Sequence, residues 1–377
     1  MKAVIAAYAR TPFHFARKGA LAEVRPGTLA AQAVSGLLAR TDLDPALIED
    51  VILGCAYPEA SQGNNLARIV GLLAGLPLEV GGMTVNRFCG SSMQAVHIAA
   101  AQIEAGMGEA FLCVGVESMT MVPQGGFNFS PSPELLANTQ AYISMGETAE
   151  NVATRWNVSR ADQEALAVES HRKAAAARAE GRLAEEIVPV RLANGEFVEA
   201  DGCIRPGTSA EALAGLKLAF RPDGSVTAGT SSPLTDGAAV VLVTSDAFAE
   251  KHGLKPMARI RAFASVGVDP AVMGIGPIPA TRKALARAGL TVADLDVVEI
   301  NEAFSSQALA CIRDLGLDPT TVNLDGGGLA IGHPLGATGA RITGKAASLL
   351  VRENGRYALS TQCIGGGQGI ATVLERV

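Results

Sequence analysis

The apolar positions of this chain fall into two regimes. Short runs that are apolar at nearly every position read as buried strands: residues 1–8, LTDGAAVVLV at 234–243, DVVEI at 296–300 and YALSTQ at 357–362. Longer stretches repeat apolar residues every three or four positions and read as helices. One follows Cys89, with Met93, Val96, Ala100 and Ile103 on one face and Gly106 as its stop; another runs from Ser159, with Asp162 three residues on, to about Gly181. The alternation of strand and helix predicts an α/β architecture.

Two stretches superpose without a gap. LARTDLDPALIEDVILG (38–54) matches LARAGLTVADLDVVEIN (285–301) at six positions, each reading as a helix end, a turn, a short helix and a buried strand. Downstream of each comes a Val-Asn pair, Val85-Asn86 and Val322-Asn323, that leads through small residues into a helix. Shared order as well as identity points to a duplicated α/β unit. Between the copies the pattern changes. Residues 119–228 open with MVPQGGFNFSPSPE and end in a glycine- and proline-bearing loop, the signature of an insertion that serves as a lid or binding subdomain. The expected division is 1–250, with the insertion at 119–228, and 251–377.

Composition narrows the function. Among 377 residues 48% are hydrophobic, 4% aromatic and 42 are glycine, which suits close packing of helix and sheet layers. A net charge of −6 argues against a nucleic-acid binder. No apolar run reaches the roughly 20 residues of a membrane span. The N-terminus lacks the features of a signal or transit peptide, so a cytoplasmic protein is expected. The six cysteines form no CxxC pair, so neither a disulfide framework nor a zinc ribbon is suggested.

Three residues stand out chemically. Cys89 lies where a strand-like segment (82–88) meets a helix, a place where the helix dipole is expected to lower a thiol pKa and make a nucleophile. His333 precedes Pro334 in GGGLAIGHPLGATGAR, so it should project from a loop at a helix start. Cys363 precedes IGGGQG, whose glycines can bring backbone N–H groups to an oxyanion. The glycine runs match neither a dinucleotide fingerprint nor a P-loop, which disfavours a nicotinamide-dependent dehydrogenase. Asn301-Glu302-Ala303-Phe304 ends the DVVEI strand.

Taken together, VNRFCGSSMQAV, NEAF, GGGLAIGHPLGATGAR and CIGGGQG resemble the thiolase family in order and separation, over nearly the whole chain. The resemblance implies two five-stranded α/β halves stacked into a five-layer αβαβα core with an inserted loop domain. It implies Cys89 as nucleophile, His333 as its base, Cys363 as acid/base, Asn301 holding a water, and the N–H groups of Cys89 and Gly365 binding the acyl oxyanion. It places Ser232 at the pantetheine and Met273 in the pocket, with Met145 and Phe304 also lining the site. Lys217, in LKLAF where many members carry arginine, and Arg221 are the candidates for CoA phosphate. The substrates implied are a 3-oxoacyl-CoA and CoA, with no metal and no cofactor. The partners implied are a second copy, as dimer or dimer of dimers, and a hydratase/dehydrogenase subunit of β-oxidation.

The Ser pair after Gly90, the run MQAV, and Ser144-Met145 in place of a His-Met pair resemble degradative 3-ketoacyl-CoA thiolases. On that reading Phe127, Phe129 and Met145 of the insertion set the room for an acyl tail, which Ser144 leaves open. Condensation of two acetyl-CoA by a biosynthetic thiolase is the alternative. An acyl-CoA-binding, non-catalytic subunit of a β-oxidation complex is the alternative of another class.

Overall fold

The computed structural model describes residues 2–377; Met1, at the head of the first expected strand, lies outside them. The first half contributes β1 (Ala3–Arg10), β2 (Asp50–Gly54), β3 (Gly81–Val85), β4 (Ala110–Ser118) and β5 (Thr235–Ser245). The second contributes β6 (Ala258–Gly267), β7 (Val297–Ile300), β8 (Tyr357–Ile364) and β9 (Gln368–Arg376). Each half repeats one topology. The order β1-β5-β4-β2-β3 is matched by β6-β9-β8-β7, and the position of β3 is taken by a parallel bridge between Val298 and Val322. Pairings agree in sense as well: β1–β5 and β6–β9 are antiparallel, β4–β2 and β8–β7 parallel. The duplication read from residues 38–54 and 285–301 thus covers corresponding helix ends and the strands β2 and β7.

Two details differ from expectation. The second half has four strands and a single bridge instead of five strands, because the chain around Val322 turns away at Asn323, whose side chain bonds both the N–H and the C=O of Ile300. The two sheets are also joined, since β1 pairs antiparallel with β6 at Val4–Arg259 and Ile5–Ala258.

Layering follows from which helix faces are apolar. Helices α1 (Pro26–Thr41) and α2 (Leu66–Leu73) bury Leu29, Val34, Leu37 and Val70 against the outer face of the first sheet. The helix α3 (Ser91–Glu104) lies between the sheets. In the insertion, α4 (Met145–Arg155) and α5 (Arg160–Ala179) follow, the latter capped by Ser159 accepting from Asp162 N–H as expected. On the outer face of the second sheet lie α6 (Pro277–Ala288) and α7 (Ser305–Leu315). The long α8 (Leu335–Arg352) packs on α3 and touches strands of both sheets. It is buried nearly all round, and its small residues allow this: a Cβ on Gly339 would sit 2.3 Å from the Met93 backbone nitrogen of α3. No helix among the described residues is long and apolar enough to cross a membrane.

Charges buried between the layers tie the insertion to both halves. Arg10 of β1 bonds Glu186 at 2.7 Å and holds Asp201 with both Nη atoms at 2.7 and 2.8 Å. Lys345 of α8 bridges Glu186 (3.0 Å) and Asp325 (2.7 Å), and Asp325 also meets Arg182 and Arg352. Burial alone would raise the Asp325 pKa, but Arg352 and Lys345 overcome it and bring it down to about 2. A carboxylate lowered on folding stabilises the protein above its ordinary pKa near 4, and that contribution is lost as pH falls from about 4 to about 2. Replacing Asp325 by Asn should destabilise the protein at pH 7 by about 3–5 kcal/mol, because Lys345 is left buried with half its partners. Urea unfolding should show this loss at pH 7 and a much smaller difference between variant and wild type near pH 2; equal differences at both pH values would show that charge is not what Asp325 supplies.

Candidate active site

The site forms where the N-terminal parts of α3 and α8 come together. β3 ends at Val85, earlier than the expected 88, because residues 86–90 make a tight turn. Asn86 Oδ1 accepts from Phe88 N–H at 2.8 Å, and its amide donates to Ala56 C=O at 3.0 Å. Ser91 at the head of α3 closes the turn by accepting from Arg87 N–H and donating to Phe88 C=O. Phe88 is held at φ +42°, a conformation costly for an aromatic residue. Cys89 is thereby set at the helix start, half-buried, packed with Ala56, Met119 and Leu335.

The lowered thiol pKa expected there is not found. Burial pushes Cys89 up to about 12; the backbone N–H groups of Gly365 and of Cys89 itself act in the opposite direction, and Glu117 raises it further. Desolvation of the thiol outweighs the partial charge of a helix end there. The resting thiol is neutral and needs a base. The same observation places the two N–H groups expected to form an oxyanion hole against one sulfur.

His333 occupies the loop before α8, where Pro334 caps the helix, and is 5% exposed. Its Nδ1 lies 2.6 Å from Thr338 Oγ1, and that hydroxyl donates its one proton to Pro334 C=O at 3.0 Å. A hydroxyl that spends its proton on Pro334 accepts from Nδ1–H, and this is the tautomer in which Nε2 keeps its lone pair. The Asn301 amide nitrogen stands 3.3 Å from Nε2, and its Oδ1 is buried without a protein partner. Burial, and secondarily Arg341, lower the His333 pKa to about 3. The imidazole is neutral, and so competent as a base, at all physiological pH.

Cys363 lies at the end of β8, 1% exposed and paired across the sheet with Gly369. Burial raises its thiol pKa well above the usual value, and Cys89 adds to this, as expected of two neighbouring thiols. The Gly365–Gly367 turn follows; at Gly367 φ is +82° and a Cβ would lie 2.3 Å from Val268 C=O, so glycine is required there.

The remaining expected residues divide. Met145, Met273, Phe304 and Cys363 share one apolar cluster, and Ser232 adjoins it by donating its N–H to Ala303 C=O at 3.0 Å. Lys217 is exposed. Arg221 is turned into the insertion, bonding Glu147 at 2.5 Å and Asn151 at 2.8 Å. Phe127 and Phe129 do not line an inner chamber: they are 58% and 64% exposed, since their loop runs over the surface. Ser144 is likewise an exposed residue that caps α4 by accepting from Glu147 N–H. Among the described residues no cluster of His, Cys, Asp and Glu could hold a metal ion.

Three supporting residues escaped sequence reasoning. Glu302 accepts from Ser170, Asn323 and the Leu329 N–H, binding the strand end of Asn301 to the loop before His333. Glu117 accepts from the N–H groups of Ala56, Tyr57 and Gly336, which holds the start of α8 against the first half. Thr338 stood inside the GHPLGATGAR motif, but its role depends on helical spacing that brings it back over His333.

The description of the thiolase N-terminal domain matches residues 3–247 and that of the thiolase C-terminal domain residues 254–376. The chain belongs to the thiolase family. It is 50% identical, over all of its length and all of theirs, to proteins named 3-ketoacyl-CoA thiolase from Shewanella denitrificans and Shewanella putrefaciens, and equally to one from Shewanella baltica. The five-layer arrangement of α1/α2, first sheet, α3/α8, second sheet and α6/α7 is this family's fold.

The tautomer argument is open to test. Thr338→Val keeps the shape and removes the acceptor for Nδ1–H, and should lower kcat by up to about 10²-fold, the lower end of what a positioned base contributes. Thr338→Ser should restore most of it. The pH profile of kcat/KM for the wild type should show no inflection near 6.5; one that titrated there would mean that His333 is not held neutral.

Proposed function

We propose that this thiolase cleaves 3-oxoacyl-CoA with CoA, releasing acetyl-CoA and an acyl-CoA shortened by two carbons. The observation that supports the reading is the approach of Cys363 and the Gly365 N–H, from the second half, to Cys89 of the first, with a neutral His333 held by Thr338 and Asn301. In the first half-reaction Nε2 takes the Cys89 proton as the sulfur attacks the 3-oxo carbon. The N–H groups of Cys89 and Gly365 stabilise the oxyanion. The bond between the α-carbon and the 3-oxo carbon breaks, and Cys363 gives its proton to the α-carbon of the departing acetyl-CoA enolate. The enolate oxygen is held by His333 and by a water on the free Oδ1 of Asn301. In the second half-reaction the CoA thiol gives its proton to the Cys363 thiolate and attacks the acyl-Cys89 thioester, and the His333 imidazolium returns its proton to the departing Cys89 sulfur. The apolar surroundings suit the resting site, in which both thiols and the imidazole are neutral; the imidazolium and thiolate formed in the first half-reaction are discharged in the second.

The GSSMQAV run and relatives bearing the 3-ketoacyl-CoA thiolase name support the degradative direction over condensation of acetyl-CoA. The intact set of four chemical residues disfavours a non-catalytic acyl-CoA-binding subunit. On the same reading the protein works in the β-oxidation of fatty acids in the cytoplasm, as a homodimer or dimer of dimers, with a hydratase/dehydrogenase subunit as neighbour. The division into 1–250, with its insertion at 119–228, and 251–377 is proposed with it. Ser232 contacts pantetheine and Lys217 is the cation open to CoA phosphate.

Brief incubation with an acyl-CoA should add one acyl mass to the peptide that holds Cys89; acylation of Cys363 instead would reverse the two roles. Cys363→Ala should slow carbon–carbon cleavage by about 10²–10⁴-fold, the usual worth of a positioned acid, and should leave acyl exchange between CoA and Cys89 far less affected. Equal losses in the two assays would sink the assignment.

A further inference from the structure

Cys89 sits between two peptide planes, and each is held at its carbonyl. The plane before it carries Phe88 C=O, which accepts from Ser91 N–H at 3.0 Å and from Ser91 Oγ at 2.6 Å. Both donors belong to the same turn. The plane after it carries Cys89 C=O, and the donor to this carbonyl comes from the other half of the molecule: it is the side-chain amide of Gln362, on β8. The N–H of that second plane, on Gly90, donates back to Arg87 C=O at 2.9 Å. With the planes on both sides fixed, the φ and ψ of Cys89 have little freedom left, and its thiol leaves the backbone in a set direction.

Gln362 is fully buried. Its orientation follows from chemistry, since a carbonyl only accepts and the amide NH2 has to face Cys89. The Oε1 atom is then buried without a partner among the described residues. Two further contacts press the second half onto the same turn. Arg87 Nη1 donates to Gln368 Oε1 at 2.8 Å, and Gly90 lies so near Ile364 of β8 and Ile370 of β9 that a Cβ there would come within 2.6 Å of Ile364 Cδ1. The turn needs such support, because Phe88 is kept at φ +42°.

We propose that Gln362 is a positioning residue for the nucleophile: by holding Cys89 C=O from β8 it sets the direction of the thiol once the two halves have closed, an inference that rests on the acyl-Cys89 reading above. Gln362 immediately precedes Cys363, so one strand end brings both the second thiol and the clamp on the first.

The test compares Gln362→Met and Gln362→Glu with the wild type. Gln362→Met fills the space and removes the donor; it should lower kcat by about 10- to 10²-fold, the cost of a misplaced reacting group, and leave KM for the acyl-CoA within about two-fold. The loss should appear in carbon–carbon cleavage and in acyl exchange alike, because both use Cys89. Gln362→Glu reads the same hydrogen bond through pH. A protonated carboxyl donates its O–H to the carbonyl and a carboxylate repels it, while burial raises the carboxyl pKa towards the assay range. The activity of Gln362→Glu relative to wild type should therefore fall as pH rises from about 6 to about 9, while that of Gln362→Met stays level. Should Gln362→Met fold poorly, the ratio for Gln362→Glu decides alone. Wild-type kcat in Gln362→Met, or a level ratio for Gln362→Glu, would overturn the role of Gln362 and leave the mechanism standing. Failure of the wild type to acylate Cys89 would overturn both.

Discussion

The close approach of α3 and α8 is the constraint on which the rest of the molecule depends. Each helix is the central crossover of one half, and each begins with a reactive residue, Cys89 before one and His333 before the other. The pair can lie side by side only because Gly339 leaves room for the Met93 backbone and because Ser92 Oγ accepts from Ala340 N–H at 2.8 Å. Side chains at that contact would separate two helix starts that have to meet. Such a core tolerates little change, since close-packed interiors transmit a displaced backbone instead of absorbing it.

The two halves share a topology, yet the site uses them unequally. Glu117 and Cys363 hold corresponding places, each next to last in its strand, β4 or β8, and each opposite a glycine, Gly237 and Gly369. One became an anchor that gathers the N–H groups of Ala56, Tyr57 and Gly336; the other lies near Cys89. Asn86 and Asn323, the duplicated residues after valine, do similar work in both halves by bonding the backbone at the end of the neighbouring strand. Duplication therefore supplied two rigid strand-end platforms, and function differentiated the side chains that stand on them.

Burial governs the electrostatics throughout. It keeps Cys89, Cys363 and His333 neutral, so the site stores no charge before substrate arrives. Farther along α8 the opposite solution holds, where Lys345 stays charged because Glu186 and Asp325 compensate it. One helix thus has a neutral histidine before its start and an ionic seam farther along that joins the insertion to both halves. The difference lies in whether a counter-charge is within reach, since isolated charge is expelled from such surroundings and paired charge is kept.

Much of this was already legible in the sequence. The apolar runs located β1, β5, β7 and β8, the repeat at 38–54 and 285–301 revealed the duplication, and Ser159 and Pro334 marked helix starts, because these depend on local pattern and backbone geometry. The reactive residues were also visible, since a cysteine or histidine set among glycines is chemically conspicuous. Tertiary structure decided what local pattern does not encode. It set the ionisation of Cys89, where desolvation overrode the helix dipole, and the tautomer of His333, which hangs on a threonine five residues away. It also decided which side chains reach the surface, turning Phe127 and Phe129 outward. Each of these rests on contacts between segments distant in the chain, and burial and long-range hydrogen bonds exist only once the two halves have closed on one another.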